Sequence, residues 1–116
     1  MSIEILVRFE IKPENLQAFR AKIAELTSSI SAEEPATSAY DFFLDETKTT
    51  SVLSERYPDS EAFLAHMART GPHLPGLIAL ASPASVYVLG SVSAKAREVL
   101  VGFGAKFLEP VASLSR

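Results

Sequence analysis

Apolar and polar side chains alternate from the start of the chain: Ile3, Ile5, Val7, Phe9 and Ile11 fall on one parity, with Glu4, Arg8, Glu10 and Lys12 on the other. A period of two predicts a strand with one buried face. Pro13 suits a first helical position, and Leu16, Phe19, Ile23, Leu26 and Ile30 then recur every three or four residues until Glu33-Glu34-Pro35. That run predicts an amphipathic helix. Residues 38–44 and 50–57 form two β-rich stretches around the polar turn Asp45-Glu46-Thr47-Lys48, the pattern of a hairpin. Pro58-Asp59-Ser60 opens a second helix carrying Phe63, Leu64 and Met67, which Thr70-Gly71-Pro72 stops. Residues 74–81 suit a further turn or two of helix. A last strand is expected over residues 84–89, ended by Gly90, and a third helix over residues 93–103.

The order β-α-β-β-α-β is that of an α+β, ferredoxin-like fold, with a four-stranded antiparallel sheet and both helices on one face. Phe42 beside Phe43, and Tyr87 between Val86 and Val88, place large apolar groups on both parities of their strands. The face away from the helices therefore needs a cover, and a homodimer packed sheet to sheet supplies one.

A chain of 116 residues makes one domain. Residues 1–90 hold the ferredoxin-like unit, and residues 91–116 add a helix and tail to the same domain or to the dimer interface. A net charge of −3 and a pI near 5.3 offer no basic stripe, so nucleic acid is a poor partner. Without cysteine there is no disulfide, thiolate nucleophile or cysteine-metal cluster. No apolar run approaches the roughly 18 residues of a membrane span, and the first residues lack a signal-peptide pattern. The expectation is a cytoplasmic protein that binds a small aromatic or apolar molecule and no membrane.

Two histidines, His66 and His73, stand seven residues apart with Gly71-Pro72 between them. An imidazole titrates near neutrality, so either can serve as base or acid, and His66 is the stronger candidate because it borders the apolar face of the second helix. The plainer readings are a core-edge residue for His66 and a loop anchor for His73. The pair alone is too small and wrongly spaced for a metal site, and no nucleotide-binding or nucleophile-elbow motif occurs, so neither metal nor cofactor is expected. Strands favour aromatics for packing alone. Of these aromatics Tyr40, Phe42 and Tyr57, with Phe63 and Met67 of the second helix, are the candidates for substrate contact. Glu55 and Arg56 suit an ordinary solvated strand or a weak ion pair.

The stretch Ser54-Glu55-Arg56-Tyr57-Pro58-Asp59-Ser60-Glu61-Ala62-Phe63-Leu64-Ala65-His66, followed by Pro72-His73, resembles the antibiotic-biosynthesis monooxygenase family, in its quinol monooxygenase-like branch. Phe9-Glu10-Ile11-Lys12-Pro13 is similar to the family's first strand and turn, and the resemblance spans about residues 3–90. Glu55, Tyr57, Ala65-His66 and Pro72-His73 match the pattern. Tyr57 stands where Trp is more usual, and the two histidines are separated by two extra residues. Val7 and His66 stand where the heme-degrading branch has Asn and Trp, which disfavours heme breakdown. The resemblance implies a dimeric α+β barrel and a cofactor-independent monooxygenase acting on a hydroquinone-like or polycyclic aromatic substrate. Deprotonation by His66, assisted by His73, would let the substrate anion pass an electron to dioxygen. A non-catalytic binding or structural dimer and a small-metabolite isomerase are the alternatives.

Overall fold

The computed structural model describes residues 2–116; Met1 lies outside them. Strand β1 (Ile3–Ile11) forms the middle of the sheet, as its unbroken alternation requires, and its five odd-numbered side chains are all buried. Pro13 starts a 3-10 turn, Pro13–Asn15, that leads into α1 (Leu16–Glu33), where Phe19, Leu26 and Ile30 pack against the sheet. The hairpin of β2 (Ala39–Leu44) and β3 (Thr50–Tyr57) closes through Asp45. Its carboxylate accepts backbone N–H bonds from Thr49 at 2.9 Å and Thr50 at 3.1 Å, while Lys48 takes the left-handed conformation at φ 61°. Asp59 caps α2 (Ser60–Thr70) by accepting from the Ala62 N–H at 2.9 Å, which satisfies one of the helix's orphan donors.

Gly71-Pro72 ends α2 without sending the chain away. A 3-10 turn, Gly71–His73, joins it to the short helix α3 (Leu74–Ile78), because Pro72 and Pro75 both sit at first-turn positions where no N–H is required. Strand β4 (Ala81–Leu89) starts three residues earlier than the β-branched run suggests. Its pairing with β1 shifts register between Arg8 and Phe9, close to Pro83, and the other edge of β4 is unpaired at Pro83, so the missing N–H costs no bond there. Gly90 follows at φ +108°, where an added Cβ would stand 2.9 Å from the Ser2 carbonyl oxygen.

Helix α4 (Ala94–Val101) is capped by Ser93, whose N–H donates to the Ser60 hydroxyl at 2.8 Å and so ties the start of α4 to the start of α2. After α4 the chain adds an element that periodicity does not announce, the three-residue strand β5 (Lys106–Leu108), parallel to β4. The Arg97 guanidinium lies 4.0 Å from the centre of the Phe107 ring and holds β5 against α4. The sheet is thus open and five-stranded, in the order β2-β3-β1-β4-β5, rather than four-stranded.

The inward face carries one core that includes Ala96 and Leu100 of α4. The opposite face mixes ion pairs, Arg8 with Glu10 and Arg56 with Glu4, with Leu6, Val52, Tyr87 and Phe43, the last 59% exposed. No helix is long and apolar enough to cross a membrane among the described residues.

Candidate active site

Strand alternation turns Leu53, Glu55 and Tyr57 of β3 toward the helices, and the hairpin register sets Tyr40 of β2 directly opposite Glu55. On α2, Phe63, His66 and Thr70 follow at helical spacing and are buried together. A carboxylate and an imidazole are therefore carried into the core from two elements.

His66 is 3% exposed, and three groups fix it. Its Nδ1 is 2.7 Å from Glu34 Oε1, and its ring centroid lies 5.3 Å from that of Tyr40 and 5.3 Å from that of Tyr57. Glu34 sits just past the end of α1. Its other oxygen accepts from Arg69 Nη1 at 2.6 Å and from the Thr70 hydroxyl at 2.8 Å, and the Thr37 hydroxyl donates to Oε1 at 2.9 Å. Burial pushes the Glu34 pKa up, but the hydrogen bonds from His66, Thr70 and Arg69 outweigh it and leave the group below its ordinary value. Glu34 is consequently an ionised acceptor at neutral pH. Nδ1 must then carry the proton, which leaves Nε2 as the basic nitrogen.

Nε2 points the other way, 3.8 Å from Glu55 Oε1, beyond hydrogen-bond range. Glu55 accepts a 2.5 Å hydrogen bond from the Tyr57 hydroxyl. Here burial dominates and raises the carboxyl's pKa; the Tyr57 bond and His66 oppose that rise, and the charge on Glu34 adds to it. Burial also pushes the Tyr40 and Tyr57 hydroxyls well above their ordinary range, so both remain protonated donors.

Glu55, His66 and Tyr40 form the polar end of a cavity of about 90 Å³. Ile5, Val7, Phe9 and Val86 of the sheet, Phe63 and Met67 of α2, Leu77 and Ile78 of α3, and Leu100 and Phe103 at the end of α4 supply apolar walls. Phe103 and Ile78 are 42% and 39% exposed and so reach from the cavity to solvent, marking its mouth. An apolar cavity of about 150 Å³ takes up one benzene ring, so an aromatic substrate enters here only with movement at that mouth.

Of the residues the sequence singled out, Tyr40, Phe63, His66 and Met67 line this cavity. Tyr57 stands behind it as the donor to Glu55. Phe42 packs against Phe9 and Phe19 and borders a separate surface groove with Ile23 and Thr27. His73 is exposed in the turn after α2, and the structure does not bring it to the cavity, although its neighbour Leu74 reaches it.

Glu34, Arg69 and Thr70 were not foreseen. The available signal was Glu33-Glu34 at the C-terminal end of a helix, where the helix dipole disfavours an anion and a cationic partner is needed. Arg69 is that partner, bonded to Glu33 and Glu34 together. Among the described residues no group of three or more His, Cys, Asp or Glu side chains is arranged to hold a metal ion.

A sequence profile of the antibiotic biosynthesis monooxygenase family matches residues 2–73, more than half of the chain and a span that contains Glu34, Glu55 and His66. The chain belongs to this family. Solved structures share the fold over still more of the chain. MupZ from Pseudomonas fluorescens is 26% identical, with a TM-score of 0.86, over 99% of this chain and 94% of that one. Rv0793 from Mycobacterium tuberculosis is 22% identical, with a TM-score of 0.68, over 80% and 97%. SnoaB from Streptomyces nogalater, a cofactor-independent oxygenase solved as a point mutant, is 19% identical, with a TM-score of 0.64, over 79% and 94%. The match to MupZ thus takes in the C-terminal segment that walls the cavity. Among curated proteins there is no match. Family membership supports a monooxygenase-type function.

Proposed function

We propose that this protein is a cofactor-independent monooxygenase acting on a small hydroquinone. The observation that carries the reading is the orientation of His66: Glu34 holds Nδ1, and the basic Nε2 stands at the polar end of an apolar cavity. Nε2 takes the proton of a phenolic hydroxyl, and Glu34 stabilises the imidazolium that forms. The electron-rich phenolate then passes an electron to dioxygen, and a C–O bond forms at the ring. One hydroquinone and one dioxygen give one hydroxyquinone and one water, so the substrate supplies every electron. The apolar walls exclude solvent and shelter the anion and the reduced oxygen. SnoaB, a cofactor-independent oxygenase of the same fold, supports the same chemistry.

Two further elements belong to this reading. The apolar residues on the outer sheet face suit a homodimer packed sheet to sheet. A cytoplasmic setting suits a chain without cysteine. Oxygen uptake with hydroquinone, compared between wild type and His66→Ala, tests the function; equal rates would refute it.

A further inference from the structure

Glu34 and Glu55 flank the same imidazole in opposite electrostatic settings. Arg69 and two threonine hydroxyls serve Glu34, whereas Glu55 meets the Tyr57 hydroxyl and, among the described residues, no lysine or arginine. A hydroquinone oxygenase needs a base. The step proposed above uses His66 and Glu34 and leaves Glu55 without a role.

We propose that the cavity also catalyses an oxygen-independent proton transfer, the isomerisation of a small apolar unsaturated ketone, with His66 as the base and Glu55 as the acid. The proposal rests on the monooxygenase reading only for the identity of the base.

Geometry comes first. Glu55 and His66 arise from different elements, β3 and α2, yet both line the cavity, and Oε1 and Nε2 are 3.8 Å apart. A carbonyl oxygen and its α-carbon, two bonds apart, can lie alongside this pair, with the oxygen toward the carboxyl and the carbon toward the imidazole. The Tyr57 bond to Oε1 holds that atom as the acceptor and leaves Oε2 to carry the acid proton. Burial raises the carboxyl's pKa, and in its neutral form the group can donate. Two carboxyl groups whose surroundings push their ionisation apart are the usual sign of divided acid and base roles.

In the reaction, Nε2 removes a proton from the carbon between the carbonyl and the double bond. Glu55 gives its proton to the carbonyl oxygen, producing a dienol. The imidazolium then returns a proton to the far carbon of the double bond, while the dienol O–H proton goes back to Glu55. The product is the conjugated isomer. No electron is gained or lost, and acid and base both end as they began. The small volume and apolar walls select a slender, uncharged ketone.

Allyl methyl ketone is the probe, incubated in D₂O under nitrogen. Wild-type protein should convert it to methyl propenyl ketone, seen by the rise of enone absorbance, and should introduce deuterium at the terminal methyl group. In Glu55→Gln the rate should fall by about 10²-fold, the lower range for loss of an acid-base group. Failure of folded wild-type protein to accelerate the conversion over buffer overturns the proposal. So does an unchanged rate in folded Glu55→Gln. Oxygen uptake with hydroquinone on the same preparation separates the two readings: isomerisation without oxygen uptake removes the oxygenase, and oxygen uptake without isomerisation removes this proposal alone.

Discussion

Glu34 and His66, 32 residues apart in the chain, meet in a 2.7 Å hydrogen bond that joins the end of α1 to the middle of α2. The bond sets both the tautomer and the aim of the imidazole. His66→Ala should therefore lower oxygen uptake with hydroquinone by about 10²-fold or more. Glu34→Gln keeps the shape but removes the charge opposite the imidazolium, and should lower kcat by about 10-fold or more with KM little altered. A Glu34→Gln enzyme with wild-type kcat would remove Glu34 from the mechanism. His73→Ala should match wild type, since His73 lies outside the cavity lining.

The two carboxyls predict opposite pH dependences of stability. The Glu55 pKa is raised above its ordinary 4.5, so its contribution is fully present below 4.5 and is lost as pH rises through the raised folded value. The Glu34 pKa is lowered, so its contribution is present above 4.5 and is lost as pH falls through the lowered folded value. Urea unfolding over a pH series should show Glu55→Gln losing the decline above 4.5 and Glu34→Gln losing the decline below it. Identical pH slopes in wild type and either variant would contradict that assignment.

Much of this architecture was legible because burial and periodicity coincide. The odd positions of β1 are buried from Ile3 to Ile11, so alternation marked the central strand directly, and Asp59 marked the start of α2. Strand β5 escaped because Lys106-Phe107-Leu108 is too short to display a period; β4 started early because Ala81-Ser82-Pro83 has little intrinsic strand preference. His66 and Tyr40 were visible as site candidates from residue type and position. Glu34 was not, because its role exists only once α1 and α2 lie side by side. Phe42 was misplaced because its parity on β2 indicates the core but not which part of it.

The cavity mouth yields a prediction about size. Phe103→Ala should raise kcat/KM for a naphthalene diol relative to a benzene diol, at a cost in stability of about 1 kcal/mol or less for so exposed a side chain. Leu100→Ala, fully inside the core, should cost about 2–5 kcal/mol. An unchanged preference between the two diols in Phe103→Ala would place the entrance elsewhere.

The outer sheet face gives a prediction about assembly. Light scattering of wild-type protein at micromolar concentration should report twice the 12.5 kDa chain mass. Phe43→Asp combined with Val52→Glu puts two carboxylates on that face and should yield monomers without loss of the helical circular dichroism signal. A double variant that remains dimeric would move the interface off the sheet.

The cavity draws its reactive groups from one stretch of the chain and part of its confining wall from another. Glu34, Glu55 and His66 all lie within residues 2–73, while Leu100 and Phe103 belong to the segment that follows β4. Part of the selectivity can therefore be inherited separately from the reactivity. Grafting a different C-terminal segment onto the same first 90 residues would reshape what is admitted while the acid and base stay in place, a route by which one lineage can diversify its substrates without reinventing its chemistry.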